Sequence, residues 1–246
     1  MRLREYLRFH RLTGNLATII FIGFNLITTD ISAQSTTIYL NGIYSSYSMT
    51  SFNHWENTLR NSTGTVKVKD LSFQNSLIVG GEIHLNNNEF SNGFFLGYGS
   101  TNGSISYETS SGPSLTNIDV NFKLLGGSIA VPIFRSDKIS IQPGIRTSLI
   151  FGKLTITDNS VPGKELNAVS TNIGINPNIS TTLNTAKRIC VRVIIGYEFQ
   201  IPGKLKDPEN PDYYLINAST KNPIKLNIDG FRLGLSIGYI IRKEIK

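Results

Sequence analysis

The strongest indication of this chain's architecture is its last strand-like segment, Gly230-Phe231-Arg232-Leu233-Gly234-Leu235-Ser236-Ile237-Gly238-Tyr239-Ile240-Ile241. Every odd-numbered position is large and apolar, whereas the even-numbered positions are Gly, Arg, Gly, Ser, Gly and Ile. A two-residue period places successive side chains on opposite faces of a β-strand. The segment therefore predicts a strand with one apolar face and one polar or small face.

The same alternation occurs in three upstream segments, 77–86, 118–124 and 191–200. A strand of a membrane-spanning barrel turns its apolar side chains to lipid and the others to the lumen. We apply that sense to every segment. In the second segment it places Ile118, Val120 and Phe122 outside and Asp119 and Lys123 inside.

The whole pattern predicts eight strands joined by connections of alternating length. The strands are expected over 36–49, 76–86, 92–107, 116–133, 138–157, 169–184, 188–201 and 224–241. Short turns are expected at 87–91, 135–137 and 185–187, and long loops at 50–75, 108–115, 158–168 and 202–223. Short and long connections at opposite rims are typical of an outer-membrane barrel. We also expect the third and fourth strands to extend beyond the membrane, through Ser100–Ser106, as a hairpin.

Residues 1–33 predict a signal peptide, and residues 34–246 a single barrel domain. Four arginines precede the apolar run from Leu16 to Ile27, and a small-residue cleavage site ends at Ala33. A membrane anchor is the alternative, but a spanning helix needs roughly 20 apolar residues. Removing the leader lowers the formal charge from +7 to +5, because four arginines leave with two acidic residues. The basic residues are dispersed, which argues against nucleic acid as a partner.

These features resemble the small outer-membrane β-barrel proteins of Gram-negative bacteria. The class includes the OmpA transmembrane domain and OmpX, and PorT-like barrels are similar in length and loop style. The resemblance also rests on Gly230, Gly234 and Gly238, which are spaced four residues apart. It implies a cell outer-membrane location, contact with outer-membrane lipid, and insertion by the barrel-assembly machinery. Members usually end on an aromatic residue, whereas here residues 240–246 follow Tyr239.

A lumen of eight strands is just wide enough to be filled by side chains. Buried charges need partners, so the inward-facing acids and bases are expected to pair across the lumen as a structural plug. An ion pathway gated by switching pairs is the functional alternative. The predicted lumen charge network is Glu82, Asp119, Lys123, Arg146, Arg192, Glu198 and Arg232.

Two loops are candidates for contact with a partner. In loop 50–75, Phe52, Trp55 and Leu59 have helical spacing and could cover the barrel mouth or bind a partner. In loop 202–223, four prolines stiffen the chain around Tyr213 and Tyr214, which lowers the entropic cost of presenting a contact surface.

Enzymatic signals are weak, so the sequence predicts no catalytic, cofactor or metal site and a protein that is not an enzyme. Cys190 is the only cysteine, and His54 and His84 are isolated from further ligands. We expect a structural or adhesive role carried by the extracellular loops. The alternatives are an accessory subunit of a secretion or envelope-assembly complex, as PorT-like proteins would imply, a periplasmic lipocalin-like ligand-binding barrel, and a lipid-modifying enzyme.

Overall fold

The computed structural model describes residues 35–47, 72–73, 75–87, 89–109, 112–158, 165–217 and 221–242. Eight long strands and two two-residue strands, β2 and β6, make up their regular structure. No helix in these ranges is long and apolar enough to cross a membrane. The strands are β1 (Ser35–Ser45), β2 (Ser72–Phe73), β3 (Ser76–Asn86), β4 (Ser91–Thr109), β5 (Gly112–Ala130), β6 (Phe134–Arg135), β7 (Ile139–Asp158), β8 (Glu165–Asn184), β9 (Ile189–Ile201) and β10 (Gly230–Arg242).

The eight long strands close into an antiparallel up-and-down barrel. Each pairs with the next long strand along the chain, and β10 returns to pair with β1. In that closing ladder Ser35 lies opposite Arg242 and Ser45 opposite Arg232. β2 extends the edge of β4, and β6 pairs with β7. The predicted eight-stranded fold is confirmed.

Most predicted strand boundaries lie within a few residues of the observed ones, and two predictions were wrong. The predicted loop 108–115 is largely strand, because β4 and β5 remain paired up to Thr109 and Gly112. The last strand begins at Gly230 and not at residue 224. The pairing of β4 with β5 continues through Ser100–Ser106, as the predicted hairpin requires. The leader 1–33, residues 48–49 and nearly all of loop 50–75, including Phe52, Trp55 and Leu59, lie outside the described residues.

The first residue of β1, the last residue of β10 and the short turns lie at one rim, which we call the short-turn end. Its connections are 87–90, 131–138 and 185–188. In the first, Asn87 Oδ1 accepts hydrogen bonds from the backbone nitrogens of Glu89 at 2.9 Å and Phe90 at 2.7 Å. This side-chain acceptor supports a tight turn. The opposite rim, with the long connections, is the loop end.

The outer face carries a continuous apolar belt around the barrel, to which all eight long strands contribute. Leu40 is 72% exposed and Leu235 57%. Soluble proteins rarely leave contiguous apolar surface of this extent in water. Members of the belt include Ile38, Leu40, Leu77, Val79, Ile83, Phe94, Leu96, Leu125, Ile129, Ile145, Phe151, Ile175, Ile179, Ile195, Tyr197, Phe199, Leu233, Leu235, Ile237 and Tyr239.

The interior has two zones of opposite character. Towards the short-turn end it is polar, and its buried side chains include Asn41, Glu82 and Arg192. Towards the loop end it is an apolar core, in which Phe122 and its neighbours have almost no exposed surface. The buried apolar residues are Ile78, Ile118, Val120, Phe122, Ile150, Leu154, Ala168, Leu205, Leu226 and Ile228.

This apolar zone reverses the predicted orientation of one segment. Ile118, Val120 and Phe122 of β5 point inward, whereas Asp119 and Lys123 lie exposed on the outer face. The reason is position along the barrel axis. Beyond the belt the wall faces water outside, so its apolar side chains pack inward as in a soluble barrel.

Residues 202–217 and 221–229, which we call the cap segment, fold back over the loop end of the barrel. Isolated bridges join Lys204 to Lys225 and Lys206 to Val169 of β8. Leu205, Leu226 and Ile228 are completely buried in the apolar core. The stretch predicted as the start of the last strand, 224–229, is therefore part of the cap.

We expect Phe122→Ala to lower the free energy of unfolding by about 3–5 kcal/mol, because it removes a fully buried ring and leaves a cavity. Phe134→Ala, at a ring 52% exposed near the short turns, is the matched control and should change it by less than about 1 kcal/mol. Urea titration of the folded barrel, followed by circular dichroism, measures both. Equal losses would contradict an apolar core at the loop end.

Candidate functional site

The polar half of the lumen is organised around the carboxylate of Glu82. One oxygen, Oε2, lies 2.6 Å from Arg146 Nη2 and also binds Arg192 Nη2. The other, Oε1, accepts a hydrogen bond from Ser128 at 3.2 Å. Asn41 donates to Oε2 at 3.2 Å. All five side chains are buried, so the lone pairs of a desolvated carboxylate are satisfied within the lumen.

Aromatic rings cover the two guanidinium groups. Arg192 lies over the Tyr39 ring with 3.7 Å between its Cζ and the ring centroid. Arg146 lies over Phe95 at 4.5 Å. A ring face attracts a cation electrostatically, and the attraction strengthens when water is excluded. The positive charges of Arg146 and Arg192 are therefore stabilised both by the single carboxylate of Glu82 and by the faces of the two aromatic rings.

His84 connects this cluster to the short-turn end. Its Nε2 lies 2.5 Å from Glu82 Oε1, and its Nδ1 lies 2.7 Å from Ser91 Oγ. Serine, histidine and carboxylate in line resemble the order of a hydrolase triad. However, Ser91 is fully buried and its hydroxyl donates to Asn86 Oδ1 at 2.7 Å, away from the imidazole. In this arrangement His84 does not accept the proton of the Ser91 hydroxyl, so Ser91 is not activated as a nucleophile.

Two further buried charged residues, Glu198 and Arg232, lie nearer the loop end. Glu198 accepts a hydrogen bond from Ser148 at 3.1 Å. Arg232 donates to the backbone oxygens of Ile228 at 3.0 Å and Ser46 at 3.4 Å. Arg232 therefore fixes the position of the cap segment as well as contributing charge to the lumen.

A cavity of about 40 Å³ separates the two charged groups. Arg146, Ser148, Glu198 and Arg232 are among its lining residues. A volume of this size has room for about three water molecules. It is too small for an organic ligand, so the lumen of the described barrel is occupied by its own side chains.

Polar residues of the wall anchor the cap segment. Asn172 donates to the backbone oxygen of Leu226 at 2.8 Å and accepts from the backbone nitrogen of Gly203 at 2.9 Å. Gln200 donates to the oxygen of Ile228 at 3.2 Å and accepts from its nitrogen at the same distance. These bonds satisfy backbone groups that the apolar core would otherwise leave unpaired.

Five of the seven residues assigned to the lumen lie inside the barrel, and among these five the ion pairs join Glu82 to Arg146 and Arg192. Glu82, Arg146, Arg192, Glu198 and Arg232 are buried inside the barrel. Asp119 and Lys123 were placed wrongly, for the reason given by the reversed wall of β5. In the cap segment, Tyr213 is 67% exposed and Tyr214 43% exposed.

Sequence reasoning missed the residues that hold and form the cap. Asn172 and Gln200 lie on alternating strands, where polar inward positions are expected, but nothing in their spacing indicates which backbone they bind. Leu226 and Ile228 fall within the predicted strand 224–241. These two apolar residues instead enter the core from a chain that crosses the barrel mouth.

No protein-family model matches this sequence, and no curated protein matches it. Solved structures of similar architecture include Neisserial surface protein A, with 10% identity over 83% of this chain and 95% of that chain and a TM-score of 0.43. OprG from Pseudomonas aeruginosa is 8% identical over 86% of this chain and 97% of that one, with a TM-score of 0.45. The outer membrane protease OmpT from Escherichia coli is 10% identical over 88% and 99%, with a TM-score of 0.41.

The last of these structures overturns the prediction that this chain is not an enzyme. OmpT, which is named as a protease, is among the structures similar to this barrel. The resemblance to small outer-membrane barrels, predicted from sequence, is confirmed at the level of the fold.

We expect Glu82→Gln to destabilise the barrel by about 3–5 kcal/mol, because it leaves Arg146 and Arg192 buried without their shared carboxylate. Glu209→Gln, at an exposed position of the cap segment, should change stability by less than about 0.5 kcal/mol. Urea titration compares the two variants with the parent chain. A Glu82→Gln barrel as stable as Glu209→Gln would show that the arginines do not depend on Glu82.

Proposed function

We propose that this chain is an integral outer-membrane barrel protein whose role is exerted from its loop end, as a structural or adhesive protein. The observation that carries the proposal is the apolar belt, which is exposed on all eight long strands. In water such a surface would drive aggregation, whereas in a bilayer it replaces the contacts of lipid chains. A closed barrel also satisfies every backbone hydrogen bond within the membrane.

The filled lumen supports a scaffold in preference to an open pore. Towards the short-turn end it is blocked by the Glu82 cluster, and towards the loop end by the cap segment. Between them remains a cavity of about 40 Å³. A water-filled channel would need a continuous path, and side chains occupy that path at both levels.

The loop end offers the surface on which such a protein would act. Tyr213 and Tyr214 stand exposed on the cap segment, which is anchored to the barrel wall by hydrogen bonds from Asn172 and Gln200. Exposed tyrosines on a pre-ordered segment suit protein contact, because little entropy is lost on binding. A stable envelope partner on this surface would correspond to the accessory-subunit alternative.

Export by the predicted signal peptide and insertion by the barrel-assembly machinery are parts of the same proposal. The short-turn end, where β1 begins and β10 ends, would then face the periplasm, and the loop end the exterior.

We expect the protein in outer-membrane fractions to migrate differently on gels before and after boiling in detergent, because a closed barrel resists unfolding by detergent alone. Glu209→Cys at the loop end should react with a membrane-impermeant maleimide on intact cells. Lys187→Cys at the short-turn end should react only after permeabilisation. The parent chain is the control for background, since Cys190 is fully buried. Recovery in the soluble periplasmic fraction, or labelling of Lys187→Cys on intact cells, would contradict the proposal.

Purified barrel added to planar lipid bilayers should give no steady ionic conductance at moderate voltage, because side chains fill the lumen. Insertion is verified in parallel by the gel shift of protein recovered from vesicles of the same lipid. Steady unitary steps from verified, inserted protein would show instead that the Glu82 cluster opens, and would favour the ion-pathway alternative.

A further inference from the structure

Lysines gather on the outer wall at the loop-end edge of the apolar belt and just beyond it, on the side formed by β5, β7 and β8. In the row of residues nearest the belt, Lys123 lies between Tyr98 of β4 and Phe151 of β7. One row further toward the loop end, Lys153 lies beside Val169 of β8, and Val169 lies beside Lys206 of the cap segment. Adjacent strands lie about 4.8 Å apart, so these cations share one patch.

The cap segment adds two more lysines to the same face. Ile173 of β8 pairs with Ile201, and Val169 of β8 pairs with Lys206. The chain advances five residues from Ile201 to Lys206 while β8 advances four, so the cap segment contains one extra residue. This bulge turns Leu205 inward and leaves Lys204 and Lys206 outward. Lys225 lies directly opposite Lys204.

We call Lys123, Lys153, Lys204, Lys206 and Lys225 the lysine ledge. Within the described residues none of them forms an ion pair with a carboxylate, and Lys204 contacts the Tyr214 ring at 4.8 Å. Like charges placed opposite each other across paired strands destabilise the pairing. An anion bound between the lysines would remove that repulsion.

The depth of the ledge relative to the belt indicates which anion would reach it. The row immediately below Lys123 consists of Leu96, Leu125, Leu149 and Ile173, which belong to the apolar surface. One row is two residues, or about 7 Å along a strand. If the belt lies in hydrocarbon, the ledge therefore lies at the level of the lipid headgroups, where phosphates are found.

An open polar cleft of about 420 Å³ borders the ledge at Asn121 and Thr155. Its other lining residues are Asn75, Ser100, Thr101, Asn102 and Asp119. Hydroxyl, amide and carboxylate groups are the partners that sugar hydroxyls require. The ledge and the cleft together suit a headgroup with both phosphate and sugar.

We propose that the lysine ledge binds the phosphate groups of a phosphorylated glycolipid of the outer leaflet, with its sugar in the adjoining cleft. This inference rests on the proposed membrane location and assigns a lipid class to one side of the barrel. Each lysine close to an anionic headgroup contributes to attraction that weakens as salt rises.

Native mass spectrometry of the detergent-purified barrel tests the inference with two probes, bis-phosphorylated lipid A and the same lipid without its phosphates. We expect the phosphorylated probe to bind the parent chain at least about tenfold more tightly. Lys153→Gln combined with Lys206→Gln should lower that affinity about tenfold or more. Lys138→Gln with Lys187→Gln, which removes two exposed lysines at the short-turn end, should leave it within about twofold of the parent chain.

Three outcomes would overturn the inference: equal binding of the two probes, equal losses in both pairs of variants, or displacement of lipid A by an equal concentration of inorganic phosphate. The gel shift on boiling and insertion into vesicles are measured on the same preparations. Failure of the parent chain in those two assays would refute the membrane proposal itself. Normal insertion without phosphate-dependent binding would refute the lysine ledge alone.

Discussion

The constraint on which the lumen depends is that charged side chains inside a closed, narrow barrel must pair with one another. Eight strands enclose a narrow space largely filled by side chains, and within it Arg146 and Arg192 share the carboxylate of Glu82. Removing these three ions from water is costly, and their hydrogen bonds and mutual attraction offset part of that cost. Asn41, Ser128 and His84 provide partners for the carboxylate, and Tyr39 and Phe95 cover the arginines. The rest of the lumen is arranged around this cluster.

The side of the strands that carries the apolar residues changes along the barrel axis. Beside the belt, each strand turns apolar residues outward and polar residues inward, whereas beyond the belt the order is reversed. β5 crosses the boundary at the adjacent pair Leu124 and Leu125, of which the first packs against the core and the second is exposed. The cap segment completes the upper zone by adding Leu205 and Leu226 to a core that the wall alone would leave open.

Alternation along the chain predicted the number of strands, their order and most of their boundaries. It could not distinguish inside from outside, because a two-residue period is the same in either sense. Asp119 and Lys123 were misplaced for that reason, although the consecutive Leu124 and Leu125 mark the position where the apolar set changes parity. Glu82, Arg146 and Arg192 were predicted to be inside, but their meeting at one point depends on register and on strand tilt. The two-residue period could not predict the cap segment. Apolar residues two positions apart, such as Leu226 and Ile228, occur both in strands and in a connection that folds into the core.

Pairing between the first and last strands has a consequence for how this chain reaches its native state. Ser35 meets Arg242 across the closing ladder, so the contact that completes the barrel joins residues at opposite ends of the described chain. Contacts of such long sequence separation form slowly, since the loop entropy is lost before any ladder bond compensates for it. Until β10 arrives, β1 presents an unpaired edge beside an apolar face, a combination that promotes association with other chains. A chain interrupted during synthesis before residue 230 would keep that edge open, so β10 must be synthesised before closure can begin.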